Sequence, residues 1–251
     1  MTAAEPTGFR PRVIPILVVI ALGLGIPYLA AFAAVASSRL FHTPAPDGPT
    51  LPWLYAHHAF QLAFALAAIA IVKRFKPFDA GLRWPPGPTY LGPAVLWGAF
   101  FGVLMTLVDY APDLVAMRAP DLGFPLTTGN VAGWTFFEGV YVGPTEEIPF
   151  RSLLVGYLMA AMPGQVRAGR YTMSWAGVVV AAIFAFAHAG NLVHDPSWAA
   201  FGQQLYAFAL GVLYAYWLEK SRSVVAPIIG HNVSDVVEYL IAFALIALWG
   251  G

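Results

Sequence analysis

The sequence contains no cysteine and few charged residues. Asp, Glu, Lys and Arg make up 10% of its 251 residues, whereas an ordinary soluble domain has about 25%. The absence of cysteine excludes disulfide bonds, thiolate metal sites and a cysteine nucleophile. The formal net charge is +0 at pH 7, and without a basic surface we expect no nucleic-acid partner. The composition therefore excludes an ordinary soluble enzyme.

Long apolar segments make up much of the sequence. Hydrophobic residues make up 59% of the chain, and the mean hydropathy is +0.69. A helix needs about 20 mostly apolar residues to cross a bilayer. We predict an all-α polytopic membrane bundle of seven to eight spans, forming a single domain over residues 1–251. The seven segments are 13–36, 53–72, 91–108, 130–162, 174–190, 200–218 and 224–249.

The distribution of Lys and Arg predicts the orientation in the membrane. Arg39 and Arg118 fall on one side, and Arg151 falls within a span. The other side carries Arg10, Arg12, Lys73, Arg74, Lys76, Arg83, Arg167, Arg170, Lys220 and Arg222. Because basic loops stay in the cytoplasm, we expect a cytoplasmic N-terminus. The small size suggests a bacterial inner membrane. The apolar run 13–36 exceeds a signal-peptide core of about 7–15 residues, so we expect a retained span.

The fourth segment is too long for one straight span. Its 33 residues would make a helix of about 50 Å. Gly143-Pro144 lies within it, and Pro149 follows. Because proline removes a backbone donor, we predict a break near Gly143 and a new helix from Thr145. Broken backbone at membrane depth persists only inside protein or beside a water-filled cavity, so the break indicates a functional site.

Polar residues within the predicted spans are concentrated in the second half of the chain. The charged ones are Glu138, Glu146, Glu147, Arg151, Asp235 and Glu238, and His188 and His231 join them. Each charge at the bilayer centre costs about 2.5–3.5 kcal/mol on insertion scales. We therefore predict a polar chamber in the last four spans. We interpret the first three spans as scaffold and place His57-His58 at the membrane interface.

The spacing of these residues pairs some of them and separates others. Glu147 and Arg151 are four residues apart, as are His231 and Asp235, so each pair shares a helix face. Glu146 is rotated about 100° from Glu147 and has no such partner. A catalytic set and a set of polar contacts that merely join helices both fit this spacing.

Taken together, the motifs have the form EExxxR, FxxxH and HxxxD, in that order, each on a separate predicted span. They are Glu146-Glu147 with Arg151, Phe184 with His188, and His231 with Asp235. This pattern, covering roughly residues 130–240, resembles the CPBP family of CAAX-protease and bacteriocin-processing (Abi) membrane proteins. The resemblance implies an intramembrane endopeptidase that hydrolyses a membrane-associated or prenylated protein or peptide.

The resemblance to the Ras-converting CAAX endopeptidase branch also implies roles. Glu146 and His188 would activate a water molecule, His231 and Asp235 would stabilise the oxyanion, and Glu147 and Arg151 would support the site. Asp235 stands where that branch has Asn, and an ionised Asp cannot donate a hydrogen bond. Asp235 would then either orient His231 or be protonated itself.

Other functions fit the same residues. No cofactor is expected, but Glu146, His188 and His231 could form a zinc site with an open position. A proteolytically inactive scaffold or chaperone of the same fold is an alternative. A proton-coupled transporter is another, although the sequence shows no inverted repeat.

Overall fold

The computed structural model describes residues 8–40, 50–194 and 196–250. In this part of the chain the helices are α1 (Val13–Leu40), α2 (Leu51–Phe75), α3 (Leu91–Asp109), α4 (Ala111–Ala116), α5 (Thr128–Phe136), α6 (Val142–Glu147), α7 (Gly156–Ala161), α8 (Trp175–Ala187), α9 (Ala189–His194), α10 (Trp198–Ser221) and α11 (Val225–Trp249). Two π-helical stretches are π1 (Phe137–Tyr141) and π2 (Ile148–Val155). Strands β1 (Gln165–Ala168) and β2 (Tyr171–Ser174) form an antiparallel hairpin.

The architecture is an all-α polytopic membrane bundle, as predicted. Among the described residues, α1, α2, α3, the 175–194 segment and α11 are long and apolar enough to cross a membrane. Helix α10 and the continuous helical segment 128–161, called the composite helix below, complete seven long segments. They correspond to the seven segments predicted from hydropathy.

The basic segments lie together at one end of the bundle. Arg12, just before α1, donates a hydrogen bond to the carbonyl of Ala161 at the end of α7. Arg222, between α10 and α11, lies 3.6 Å from Asp79 in the loop after α2. Glu219 accepts a hydrogen bond from the amide of Ser174 at the end of the hairpin. The predicted grouping of these segments is therefore present, and its cytoplasmic orientation stays a prediction.

The predicted break near Gly143 was wrong. Residues 128–161 stay helical throughout, with π1 and π2 on either side of α6. Pro144 and Pro149 have no N–H, so the carbonyls four residues earlier lose their α-helical donors. Each carbonyl has a side-chain amide beside it instead.

Two side-chain amides from neighbouring helices replace the missing donors. Asn232 on α11 donates to the Val140 carbonyl at 3.3 Å and accepts from the Gly143 amide at 2.7 Å. Gln61 on α2 donates to the Thr145 carbonyl at 2.9 Å. Because partners on adjacent helices satisfy the backbone, the composite helix can bend through π-turns without breaking.

These contacts make the stability contribution of Asn232 depend on Pro144. We expect Asn232→Ala to destabilise the protein by about 1–3 kcal/mol, because it removes the hydrogen-bond partner of both the Val140 carbonyl and the Gly143 amide. In a Pro144→Ala background, which restores an N–H for the Val140 carbonyl, the cost should be smaller. Unfolding in detergent of the two single variants and the double variant measures the coupling. Equal costs in both backgrounds would contradict the replacement of the proline donor.

Small residues bring α11 close to α3. A side-chain carbon added at Gly98 would lie 2.7 Å from the Gly230 carbonyl, and one added at Gly102 would lie 2.5 Å from the Ser234 carbonyl. Glycines four residues apart allow such close helix contact in membranes. This packing fixes the segment of α11 that contains His231 and Asp235.

Candidate active site

A cavity of about 450 Å³ lies among the helices and contains all four predicted catalytic side chains. Seven helical segments contribute to its wall: α2, α3, the composite helix, α8, α9, α10 and α11. The titratable residues other than tyrosine in this wall are His58, Asp109, Glu138, Glu146, His188, His231, Asp235 and Glu238. The polar chamber predicted from the charge distribution is therefore present.

Glu147 and Arg151 form a fully buried ion pair behind this cavity. Both side chains are 0% exposed, and Arg151 Nε lies 2.8 Å from Glu147 Oε2. The guanidinium group also lies over the ring of Phe184, 4.6 Å from its centroid. The predicted pairing on one helix face is confirmed, although Pro149 lies between the two residues. Glu147 is thereby neutralised and directed away from the cavity.

His231 lies between two carboxylates. Its Nδ1 is 2.8 Å from Glu147 Oε1, and its Nε2 is 3.1 Å from Asp235 Oδ2. The pairing with Asp235 was predicted from spacing, whereas the contact with Glu147 was not. Because both neighbouring atoms are acceptors, either both ring nitrogens carry protons or one carboxyl group does. Both neighbours orient the imidazole ring.

Glu146 has a different environment from its neighbour in sequence. Its side chain is 17% exposed and faces the cavity. His231 Nε2 lies 3.9 Å from one carboxylate oxygen, and His58 Nε2 lies 3.9 Å from the other. Both distances exceed hydrogen-bond length. In the described part of the chain, the Glu146 carboxylate makes no direct hydrogen bond to protein, so it is available to a molecule in the cavity.

His188 lines the same cavity at the end of α8. Its Nδ1 lies 2.9 Å from the Phe184 carbonyl. Because a carbonyl can only accept, Nδ1 carries the hydrogen, and Nε2 has the lone pair in the neutral ring. The structure thus places His188 in the same chamber as Glu146, but the imidazoles within 4 Å of Glu146 belong to His58 and His231.

The interpretation of the first three spans as scaffold was wrong at His58, and Asp109, one residue beyond the third predicted span, also contributes to the cavity. His58 on α2 is 6% exposed and lines the cavity, so it does not lie at the membrane interface. Asp109, the last residue of α3, also lines the cavity and accepts a hydrogen bond from Tyr206. Gln61, three residues after His58, marks the polar face of an otherwise apolar helix and could have revealed this contribution.

Two carboxylates besides Glu146 and Asp235 also line the cavity wall. Glu138 and Glu238, which sequence analysis left outside the catalytic set, are each 7% exposed and line the wall. Asp109 lines the same wall, so three carboxyl groups lie in it besides those of the predicted catalytic set.

The predicted alternative zinc ligands are not arranged as a metal site. Across residues 8–40, 50–194 and 196–250, no group of three or more His, Asp or Glu side chains has a geometry that could hold a metal ion. Glu146, His188 and His231 line one cavity without converging on a common point.

Comparison with known proteins agrees with the resemblance seen in the motifs. No curated protein and no solved structure matches the chain at a significant level. A family model described as type II CAAX prenyl endopeptidase Rce1-like matches residues 128–237. This region begins with the composite helix and includes His188, His231 and Asp235. Residues 128–237 are thus similar to the Rce1-like CAAX endopeptidase family.

Proposed function

We propose that the protein is a membrane-embedded endopeptidase in which Glu146 activates the attacking water. The observation that carries this proposal is the contrast between two adjacent carboxylates. Glu147 is held by Arg151 and His231, whereas Glu146 faces the cavity without a direct hydrogen bond to any described residue. A general base must reach a proton on water, and Glu146 is the member of the pair that can do so.

The reaction is a hydrolysis with ordinary proton balance. Glu146 takes one proton from water as the water oxygen attacks the peptide carbonyl carbon, and the carbonyl oxygen becomes an oxyanion. The C–N bond then breaks, and the proton held by Glu146 passes to the leaving nitrogen. The products are a new carboxylic acid and a new amine, and the carboxylate of Glu146 is regenerated.

The other predicted residues have roles consistent with their contacts. His231 would donate a hydrogen bond from Nε2–H to the oxyanion, sharing this hydrogen with Asp235 or turning it away from Asp235. Such a contact is worth about 3–4 kcal/mol in other enzymes. Asp235 and Glu147 orient that imidazole, because they lie at its two nitrogens. His188, fixed by the Phe184 carbonyl, presents Nε2 to the cavity and would assist in water activation or bind the substrate backbone.

The substrate proposed is a membrane-associated or prenylated protein or peptide that reaches the cavity from the bilayer. The matched family is described by its action on prenylated CAAX proteins. We propose a bacterial inner-membrane location with a cytoplasmic N-terminus, and the shared end of the basic segments supports the proposed orientation. An inactive scaffold of the same fold is the alternative that the same architecture allows.

Metal removal separates the glutamate mechanism from the zinc alternative. We expect cleavage of a fluorogenic farnesylated CAAX peptide by the purified protein to be unchanged by 1,10-phenanthroline, because Glu146 acts directly on water. A parallel peptide-library panel covers substrates that lack a prenyl group. Loss of cleavage with the chelator, restored by added zinc, would assign Glu146, His188 and His231 to a metal instead.

A further inference from the structure

His58 on α2 belongs to the surroundings of Glu146. It lies outside the matched region 128–237, and its side chain is buried within the bundle. The imidazole contacts the composite helix through both nitrogens: Nδ1 lies 2.8 Å from the Thr145 hydroxyl, and Nε2 lies 3.9 Å from Glu146 Oε1. The ring of Phe137 packs edge-on against it, 5.0 Å between centroids.

The contacts of Thr145 determine which nitrogen of His58 carries the hydrogen. The Thr145 hydroxyl lies 2.8 Å from the Val142 carbonyl and 3.1 Å from the Tyr141 carbonyl. Carbonyls only accept, so the single hydroxyl hydrogen points towards them. The Thr145 oxygen must then accept from His58 Nδ1–H. In the neutral ring, Nε2 therefore directs a lone pair towards Glu146.

Two acceptors therefore face each other across 3.9 Å at the edge of the cavity. This distance is too long for a direct hydrogen bond, but one water molecule can lie about 2.8 Å from both atoms. Such a water donates one hydrogen to each acceptor. Its oxygen lone pairs are then directed away from both groups and towards a substrate carbonyl.

We propose that His58 is a water-positioning residue of the hydrolytic site. Glu146 Oε1 takes the hydrogen that leaves the attacking water, and His58 Nε2 holds the other hydrogen and fixes the direction of attack. This inference rests on the proposed function, because it assigns a role in the same hydrolysis. It adds α2, which lies outside the matched region, to the catalytic machinery.

The two amide-bearing substitutions at His58 separate water positioning from a structural role. Asn is short and places its amide near the position of Nδ1, so His58→Asn retains the donor to Thr145 and loses the acceptor near Glu146. Gln is longer and places its amide near the position of Nε2, so His58→Gln retains a possible acceptor there. The kcat and KM for a fluorogenic farnesylated CAAX peptide are measured with the full-length protein in detergent, together with thermal unfolding.

We expect His58→Asn to lower kcat by about 10²-fold, the scale on which misplacement of reacting groups reduces rates. KM and the unfolding midpoint should stay near the wild-type values, and His58→Gln should recover part of kcat. A structural role predicts the reverse order, with His58→Asn close to wild type and His58→Gln impaired and less stable. That order would overturn the inference.

Glu146→Gln in the same assay separates this inference from the proposed function. If Glu146→Gln is inactive while His58→Asn cleaves at the wild-type rate, the glutamate mechanism stands and the role of His58 is rejected. If Glu146→Gln cleaves as well as wild type, the proposed function fails, and the water-positioning role fails with it.

Discussion

Replacing Glu146 with Gln is expected to lower cleavage by about 10²–10⁴-fold, the usual contribution of a general base. The substitution keeps the size of the side chain and removes its ability to take a proton. Because Glu146 makes no direct hydrogen bond within the part of the chain that the structure describes, the free energy of unfolding should not fall. The kcat for a fluorogenic farnesylated CAAX peptide and unfolding in detergent measure the two effects.

Glu138→Gln is the matched control for this substitution. Glu138 is also a buried carboxylate of the cavity wall, but it is assigned no part in the reaction. Glu138→Gln should cleave the peptide much faster than Glu146→Gln does. Equal losses for the two variants would mean that the assay reports the charge of the chamber instead of a specific base.

The second large effect is expected on stability, from Arg151→Met. This change leaves the buried Glu147 carboxylate without its cationic partner on the composite helix. Removing one member of a buried ion pair costs about 3–5 kcal/mol, because the remaining charge stays in a medium of low polarity. The free energy of unfolding in detergent measures the loss.

An exposed ion pair and a double variant provide the controls. Arg118 pairs with Asp113, and its side chain is 68% exposed, so Arg118→Met should cost less than about 1 kcal/mol. Adding Glu147→Gln to Arg151→Met removes the unpaired charge and should restore part of the stability. A loss for Arg151→Met no larger than that for Arg118→Met would contradict the buried pair.

Hydropathy and residue spacing predicted the spans and the local pairs. Charged residues avoid the bilayer unless a protein interior receives them, so the positions of Glu146, His188 and His231 within apolar segments indicated a chamber. The four-residue spacing of Glu147 with Arg151 placed both side chains on one face, and the structure has them in contact. Both predictions depend only on local helix geometry and on the cost of burying charge.

Contacts between distant helices could not be predicted in this way. Pro144 and Pro149 suggested a break, because the sequence does not show that Asn232 and Gln61 supply the missing donors from other helices. For the same reason, His58 was predicted to lie at the membrane interface. Its burial depends on how α2 packs against the composite helix, which neither hydropathy nor spacing encodes.

The central claim is that two adjacent glutamates have different functions, one chemical and one structural. The most direct test is to measure kcat and the free energy of unfolding for Glu146→Gln and Glu147→Gln side by side. Glu146→Gln should lose cleavage and keep its stability. Glu147→Gln should lose stability, because Arg151 is left without its counter-charge, and should retain more cleavage than Glu146→Gln. The opposite assignment, with Glu146→Gln active and Glu147→Gln folded but inactive, would contradict the account.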